Sequence, residues 1–446
     1  MNGVARHAEL GGWGRFPLAT CALVEPGSAS EVAAALAEAT SAIARGNGRS
    51  YGDSSLNPEG VISTRRLSHM LAFDKAAGVM VCEAGVLLSD VIEVALPHGW
   101  FAPVTPGTRF VTIGGMIASD VHGKNHHGAG SFGDHLIWVD IALPGGDVVR
   151  CSPEKEPELF AATCGGMGLT GVILRAAFRL MPIETAQIRT RTIHAPDLDA
   201  AFEIFEAAQS ATYTVGWIDA LARGRRLGRS VVYAGEHVRL EELPAAARAR
   251  PFGRKPKRTL RMPVDLPAIA MSRVPVQVFN TAYLLAQRSG ESLGDLYPYF
   301  YPLDAVLDWN RVYGRRGFAQ YQCVLPLEES PVGMRRLLEE ISRRGGASFL
   351  TVLKRMGKGS FGHLSFPMEG YTLAIDFPVS PRSLALLDRL DEITAEHRGR
   401  IYLTKDSRAK PSSMAGYPRL EAFREVRRRF GLSGAIESLQ SRRLQI

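Results

Sequence analysis

Residues 117–135, IASDVHGKNHHGAGSFGDH, gather His122, His126, His127 and His135 with Asp120 and Asp134 among glycines. Imidazole and carboxylate groups serve either as metal ligands or as proton carriers. Asp120, His122, His126 and His127 would suit zinc or iron by residue type. However, H-x-x-x-H-H inside a glycine-rich loop lacks the rigid helix that aims the ligands of an H-E-x-x-H site. The reading is therefore no metal. Three glycine loops surround this cluster in sequence: ARGNGRSYGD (44–53), PGTRFVTIGGM (106–116) and CGGMGLTG (164–171). Glycine lets a backbone approach a pyrophosphate that a Cβ would block. The first loop's G-x-G-x-x-x-G is neither the dinucleotide fingerprint nor a P-loop, which needs Lys-Ser/Thr. Taken together, and each read at a strand–helix junction, the three imply an extended phosphate-bearing cofactor laid across an α+β domain. Gly114-Gly115 would open a helix whose bare N-terminus favours an anion.

The elements that must position these loops read as alternating strands and helices over the first third. Ser28 and Glu31 stand in capping-box register before an alanine-rich helix. A strand around Ile43 leads into the first loop, and VMVCEAG (79–85) is another strand. LSDVIEVALPHGW reads as a helix capped at Ser89 or Asp90 and stopped by Pro97. Residues 136–150 read as strand, Gly-Gly turn, strand, and 157–180 as helix, glycine turn, strand. After about residue 185 longer alternating segments take over: TVGWIDAL, SVVYAGEHV, GFAQYQCVLP and GYTLAIDFPVS. These suit an antiparallel sheet with helices such as 381–398 on one face. A charged helix over 418–430 closes the chain.

At 446 residues, with 46% hydrophobic and 22% charged side chains, the chain is long enough for two domains. Its five cysteines, Cys21, Cys82, Cys151, Cys164 and Cys323, are odd in number and show no metal or disulfide spacing. The net charge of +8 is partly local: RARPFGRKPKRTLR (248–261) holds seven basic residues and no acid. No nucleic-acid-binding pattern accompanies it, so no nucleic-acid partner is expected. The N-terminus has no secretory h-region, and 266–286, the best candidate span, is interrupted by Arg273, Gln277 and Asn280. A soluble or peripheral protein follows.

ARGNGRSYGD, PVTPGTRFVTIGGMIASDVHGKNHHGAGSFG and LTKDSR, with GGWGR (11–15), WNRVYG (309–314), QYQ (320–322) and YPR (417–419), resemble the vanillyl-alcohol-oxidase-like flavoproteins. Among these they are most similar to the decaprenylphosphoryl-β-D-ribose 2′-oxidase branch, essentially end to end. The resemblance implies a two-domain α+β fold. An FAD-binding part would span 1–185, completed by 402–446, and a substrate-binding antiparallel sheet 186–401. It implies FAD held by Ala44, Arg45, Gly46, Asn47, Gly48, Arg49, Ser50, Tyr51, Gly52, Asp53, Ser54, Gly107, Thr112, Ile113, Gly114, Gly115, Ser119, Asp120, Val121, His122, Ile173 and Tyr402. It implies a substrate pocket of Tyr51, Lys124, Trp217, Gln320, Gln322, Lys354, Ala374 and Lys405, with Asp120 and His122 beside the isoalloxazine. His126 and His127 are left with structural roles in the loop.

The implied reaction oxidises the C2′ hydroxyl of decaprenylphosphoryl-β-D-ribofuranose to a ketone. This is the first half of an epimerisation that serves cell-wall arabinan synthesis. A separate NADH-dependent keto-reductase would complete it, with peripheral contact to the membrane and a cytoplasmic, inner-membrane or cell-envelope location. A base must meet the hydroxyl, and Lys405 and His122 both qualify. Many relatives attach FAD through a histidine in the first loop. Here that place holds Arg49, permanently cationic and a poor nucleophile, so FAD is expected to be non-covalent, with Arg49 or the loop N–H groups toward phosphate. Mycobacterial members carry a cysteine where this chain has Ala374, and an asparagine where it has Thr372. Hydroxyl oxidation needs neither. The alternatives are an FAD-dependent oxidase of a soluble sugar, alditol or aldonolactone, a metal-dependent hydrolase, and a non-enzymatic sugar or lipid carrier.

Overall fold

The first helix begins where its cap dictates. In the computed structural model, which describes residues 5–253, 259–344 and 348–446, Ser28 Oγ accepts the Glu31 amide at 3.2 Å. Ala29–Glu38 follows as a helix with Val32 and Leu36 inward. Glu31 turns its carboxylate to the Gly27 amide at 2.7 Å, one residue before the reciprocal bond of a capping box.

Two sheets carry the N-terminal elements. Arg6–Gly11, Leu18–Val24, Val61–Ser63 and Ile43–Arg45 lie in that order, the last three mutually parallel. Met70–Asp74, Val79–Glu83, Val172–Arg179, Leu136–Ala142 and Val148–Cys151 form a five-stranded antiparallel sheet. The helix Leu88–Ala95 starts two residues earlier than its polar residues suggest. Leu87 takes the cap position, and Asp90 accepts the Leu87 amide from inside the first turn. The first glycine loop has no helix after it: it joins Ile43–Arg45 to Val61–Ser63, two parallel neighbours. The other two loops do adjoin helices, Ile113–Ala118 and Pro157–Thr163.

The largest sheet has eight antiparallel strands, in the order Gly290–Asp295, Gln187–Ala195, Ser230–His237, Tyr213–Ile218, Thr351–Met356, Gly370–Pro378, Phe318–Pro326 and Arg400–Ile401. Phe318–Pro326 is buried on both faces. Ala319, Tyr321, Cys323 and Leu325 meet the helices Ser330–Arg344 and Pro381–Glu396, where Tyr321 Oη donates to Leu390 O at 2.8 Å. Gln320 and Gln322 take the opposite face. The helix Leu420–Arg429 is followed by a further helix, Leu439–Leu444, which closes the chain instead. The architecture is α+β. Among the described residues no helix is long and apolar enough to cross a membrane. Of the basic stretch 248–261, residues 254–258 lie outside the described residues.

Candidate active site

A cavity of about 950 Å³ runs from the glycine loops to the exposed end of the large sheet. Its one end is walled by Ala44, Gly46, Asn47, Gly48, Arg49, Ser50, Tyr51 and Ser54, with Gly107, Thr112, Gly114, Gly115, Ser119, Val121, His122, Ile173 and Tyr402. Lys124, Trp217, Gln320, Gln322, Lys354, Ala374 and Lys405 wall the other. Strand register explains that second wall. Gln320 lies opposite Asp376, Gln322 opposite Ala374, Ala374 opposite Val352, and Thr372 opposite Lys354. In an antiparallel pair, directly opposed residues share a face, so three strands put Gln320, Gln322, Thr372, Ala374, Asp376 and Lys354 on one surface.

Five residues of the expected cofactor set stand off the wall, each held by the protein itself. The Arg45 guanidinium donates to Gly11 O at 2.7 Å and to Ser55 Oγ at 3.0 Å. Ile113 is a core residue. A Cβ on Gly52 would sit 2.1 Å from Asp406 O, so that glycine answers to chain packing. Asp53 is clasped by Arg443, which also holds Asp406, each at 2.8 Å. That guanidinium therefore ties the first glycine loop to the turn that carries Lys405. Asp120 has φ +38°, a backbone region in which Asp is enriched. Its Oδ1 accepts the Gly133 amide at 2.9 Å and its Oδ2 accepts from Ser365 Oγ, so it faces the loop interior and is not directed into the cavity. Gly46 likewise makes room for Thr112, whose Oγ1 would lie 2.2 Å from a Cβ and which caps Gly115 N at 3.2 Å. Gly48, at φ +61°, is required by its backbone.

The histidines fan apart. His122 Nε2 meets Gln322 Nε2 at 3.1 Å, while Gln322 Nε2 also donates to Thr372 Oγ1 at 3.2 Å. His126 Nδ1 accepts the Gly357 amide at 3.1 Å, and His127 Nε2 lies 2.8 Å from Ala211 O. His135 Nε2 lies 2.9 Å from Ala129 O. Burial, then Lys354, His126 and Lys405, hold the His122 imidazole well below its ordinary range, so it is neutral. Burial, then Lys354 and His127, press His126 down to about 3.

The cations are concentrated. Burial, helped by Lys354, lowers Lys124 to about 7. Its ammonium donates to Tyr299 O and sits 4.2 Å from that ring's centroid. Burial lowers Lys354 to about 8. Lys405 Nζ stands 3.7 Å over the Tyr51 ring. Burial pushes Lys405 down, Asp376 pulls it up, and Lys354 pushes it down again. Asp376 is the site residue that sequence reasoning missed. It is fully buried, accepts Gln320 Nε2 at 2.5 Å on Oδ1 and Tyr313 Oη at 3.0 Å on Oδ2, and has its acidity weakened by burial. The period-two pattern that paired Gln320 with Gln322 would have found it, because Thr372, Ala374 and Asp376 alternate in the same way. Trp217 presents only its ring, since Nε1 donates to Phe349 O at 3.0 Å and the ring packs 4.6 Å from Tyr283.

The FAD binding domain family matches residues 21–152. Decaprenylphosphoryl-β-D-ribose oxidase of Mycolicibacterium smegmatis is 35% identical over 449 residues, 98% of this chain and 97% of that protein. The chain belongs to the decaprenylphosphoryl-β-D-ribose oxidase family. It is an FAD-dependent oxidoreductase. Cytokinin dehydrogenase 6 of Oryza sativa subsp. japonica, 32% identical, matches 31% of this chain and 28% of its own. D-lactate dehydrogenase of Anaerostipes hadrus, 28% identical, matches 27% of each. The cavity fits the cofactor of this oxidase family. Open space surrounds Gly107, where a Cβ would meet nothing within 4 Å, and backbone from three glycine loops lines one end. Two buried donor or acceptor atoms, His122 Nδ1 and Arg49 Nε, have no protein partner.

Proposed function

We propose that this oxidoreductase removes hydrogen from C2′ of decaprenylphosphoryl-β-D-ribofuranose, leaving the 2′-ketone. The observation that carries this reading is the gathering of Lys124, Lys354 and Lys405 on the wall at the sheet end of the cavity, with Asp376 buried behind that wall and acting on Lys405 through charge. An anion favours the charged forms of Lys124 and Lys354 against their burial, and a phosphate-bearing sugar supplies one. Within this reading, residues 1–185 with 402–446 form the FAD-binding unit and 186–401 the substrate-binding unit. A separate NADH-dependent reductase would complete the epimerisation to the arabinose lipid.

FAD, when bound, supplies the hydride acceptor. Lys405 takes the hydroxyl proton, because burial keeps its amine available near neutral pH. His122, already depressed and engaged by Gln322, orients the sugar instead. Lys124 and Lys354 meet the phosphate. Trp217, Tyr283 and Phe349 exclude water from the reacting hydroxyl. Asp376 positions Lys405 through charge and holds Gln320 in place. Anaerobic mixing with decaprenylphosphoryl ribose is expected to bleach the visible flavin bands, while alditols and aldonolactones leave them unchanged. The reverse pattern would assign the site to a soluble sugar.

FAD is held without a covalent bond in this reading. The position a linking histidine would use is Arg49, whose guanidinium lies 3.9 Å over the Trp13 ring. Acid precipitation of the purified protein is expected to leave the yellow colour in the supernatant. A yellow pellet would show a covalent link.

A further inference from the structure

The helix Arg273–Ala286 touches the rest of the protein along one stripe. Val276 and Asn280 are buried and Tyr283 half-buried, at i, i+4 and i+7. Asn280 Nδ2 donates to Asp219 Oδ1 at 2.7 Å, and the Tyr283 and Tyr233 hydroxyls pair at 2.9 Å. The opposite face is open. Val274 is 69% exposed, Val278 64% and Leu285 81%, while Phe279, beside the buried stripe with its ring 5.5 Å from that of Phe349, is 45% exposed. A solvent-facing helix surface ordinarily carries charge. Residues 274–287 contain no Asp, Glu, Lys or Arg.

The exposure is regional. Leu260, Val264, Ile269 and Leu293 join those four, so eight of the fifteen large apolar side chains exposed among the described residues fall between 260 and 293. Concentrated apolar exposure of this kind marks an interaction surface. Charge identifies the partner. Along the sequence, residues 248–288 hold nine lysines and arginines, four of them in the stretch 254–258 outside the described residues, and one acid, Asp265, a surplus equal to the whole chain's net +8. The remainder of the sequence is balanced. An apolar face in a segment whose sequence carries an excess of cations fits an anionic bilayer, which offers an acyl boundary to apolar side chains and anionic headgroups to basic ones. A second copy of the chain would set like charge against like.

The same helix borders the cavity, which Phe279, Tyr283 and Gln287 help to line. We propose that the helix Arg273–Ala286 is a membrane-docking element, laying its uncharged face into an anionic bilayer and opening the cavity mouth toward the lipid phase. The docking stands on this surface alone. Its use, to pass a polyprenyl tail between bilayer and cavity without crossing water, rests on the function proposed above.

The test is sedimentation of the full-length flavoprotein with phosphatidylglycerol–phosphatidylcholine vesicles and with phosphatidylcholine vesicles. Binding is expected to the anionic vesicles and to fall about tenfold or more in the double variant V278E/L285E. Both side chains are exposed and neither lines the cavity, so the variant's visible flavin spectrum and melting temperature should match the parent's. Equal vesicle binding by parent and variant would overturn the proposal, as would failure of the parent to bind. A parent dimer that the variant dissociates, with no vesicle binding by either, would assign the face to a second copy and overturn it too. Turnover of detergent-dispersed lipid substrate by a parent that ignores vesicles sinks docking but not the function. Vesicle binding without turnover does the opposite.

Discussion

Replacing Lys405 by methionine is expected to lower the rate of flavin reduction by about 10³-fold, in the range that a positioned general base contributes. Methionine keeps most of the side chain's length and apolar stem, so the packing over Tyr51 survives while the amine is lost. The visible flavin spectrum should persist, because the Lys405 turn is fixed by other groups. Asp406 Oδ1 accepts the amides of Arg408 at 2.9 Å and Ala409 at 2.7 Å, and Arg443 holds its other oxygen. In the parent enzyme the amine must be unprotonated to act. Burial lowers its folded-state pKa, so kcat/KM should rise with pH to a plateau, its inflection well below the ~10 of a free lysine. Stopped-flow flavin reduction across pH measures both. Retention of the parent's rate by the methionine variant, or an inflection near that of free lysine, would transfer the proton to another group.

Asp376→Asn carries the second large effect. The carboxylate accepts from Gln320 and Tyr313 at once, and an amide offers one oxygen where two donors point. A side chain displaced by about 1 Å beside the reacting group can cost on the order of 10² in rate. A merely structural role would stop there. Asp376 also raises the pKa of Lys405, so its neutralisation should move the acid limb of the pH profile to lower pH. The expected result is slower turnover together with a limb displaced downward. A rate loss with an unmoved limb would leave Asp376 a packing residue only, and a limb displaced upward would contradict the charge argument.

Both effects depend on residues that sequence reading reached unequally. Lys405 was legible within LTKDSR, and Gln320 with Gln322 by simple alternation. Asp376 was passed over although it lies two residues beyond Ala374 on the same strand. Its carboxylate is buried beneath the residues that line the cavity. Asp53 and Asp120 were misplaced for the opposite reason. They sit inside motifs that surround the cavity, yet each finds a protein partner first: Arg443 for Asp53, and Ser365 with Gly133 for Asp120. Gly46 and Gly52 are glycines for the sake of Thr112 and Asp406.

The sequence by itself determined the α+β class, the three glycine loops, the alternating strands, and which residues could donate, accept or carry charge. Those properties are local, set by backbone freedom and by the two- and 3.6-residue periods. Only the tertiary structure decided which charges meet. Gln320 and Asp376 are opposed because Phe318–Pro326 and Gly370–Pro378 pair in one register. Arg443 reaches Asp53 across 390 residues of chain. The apolar face of Arg273–Ala286 became evident only when its other stripe was seen to be used. Electrostatic and packing energies depend on distance in space, and the linear order of residues does not carry that distance.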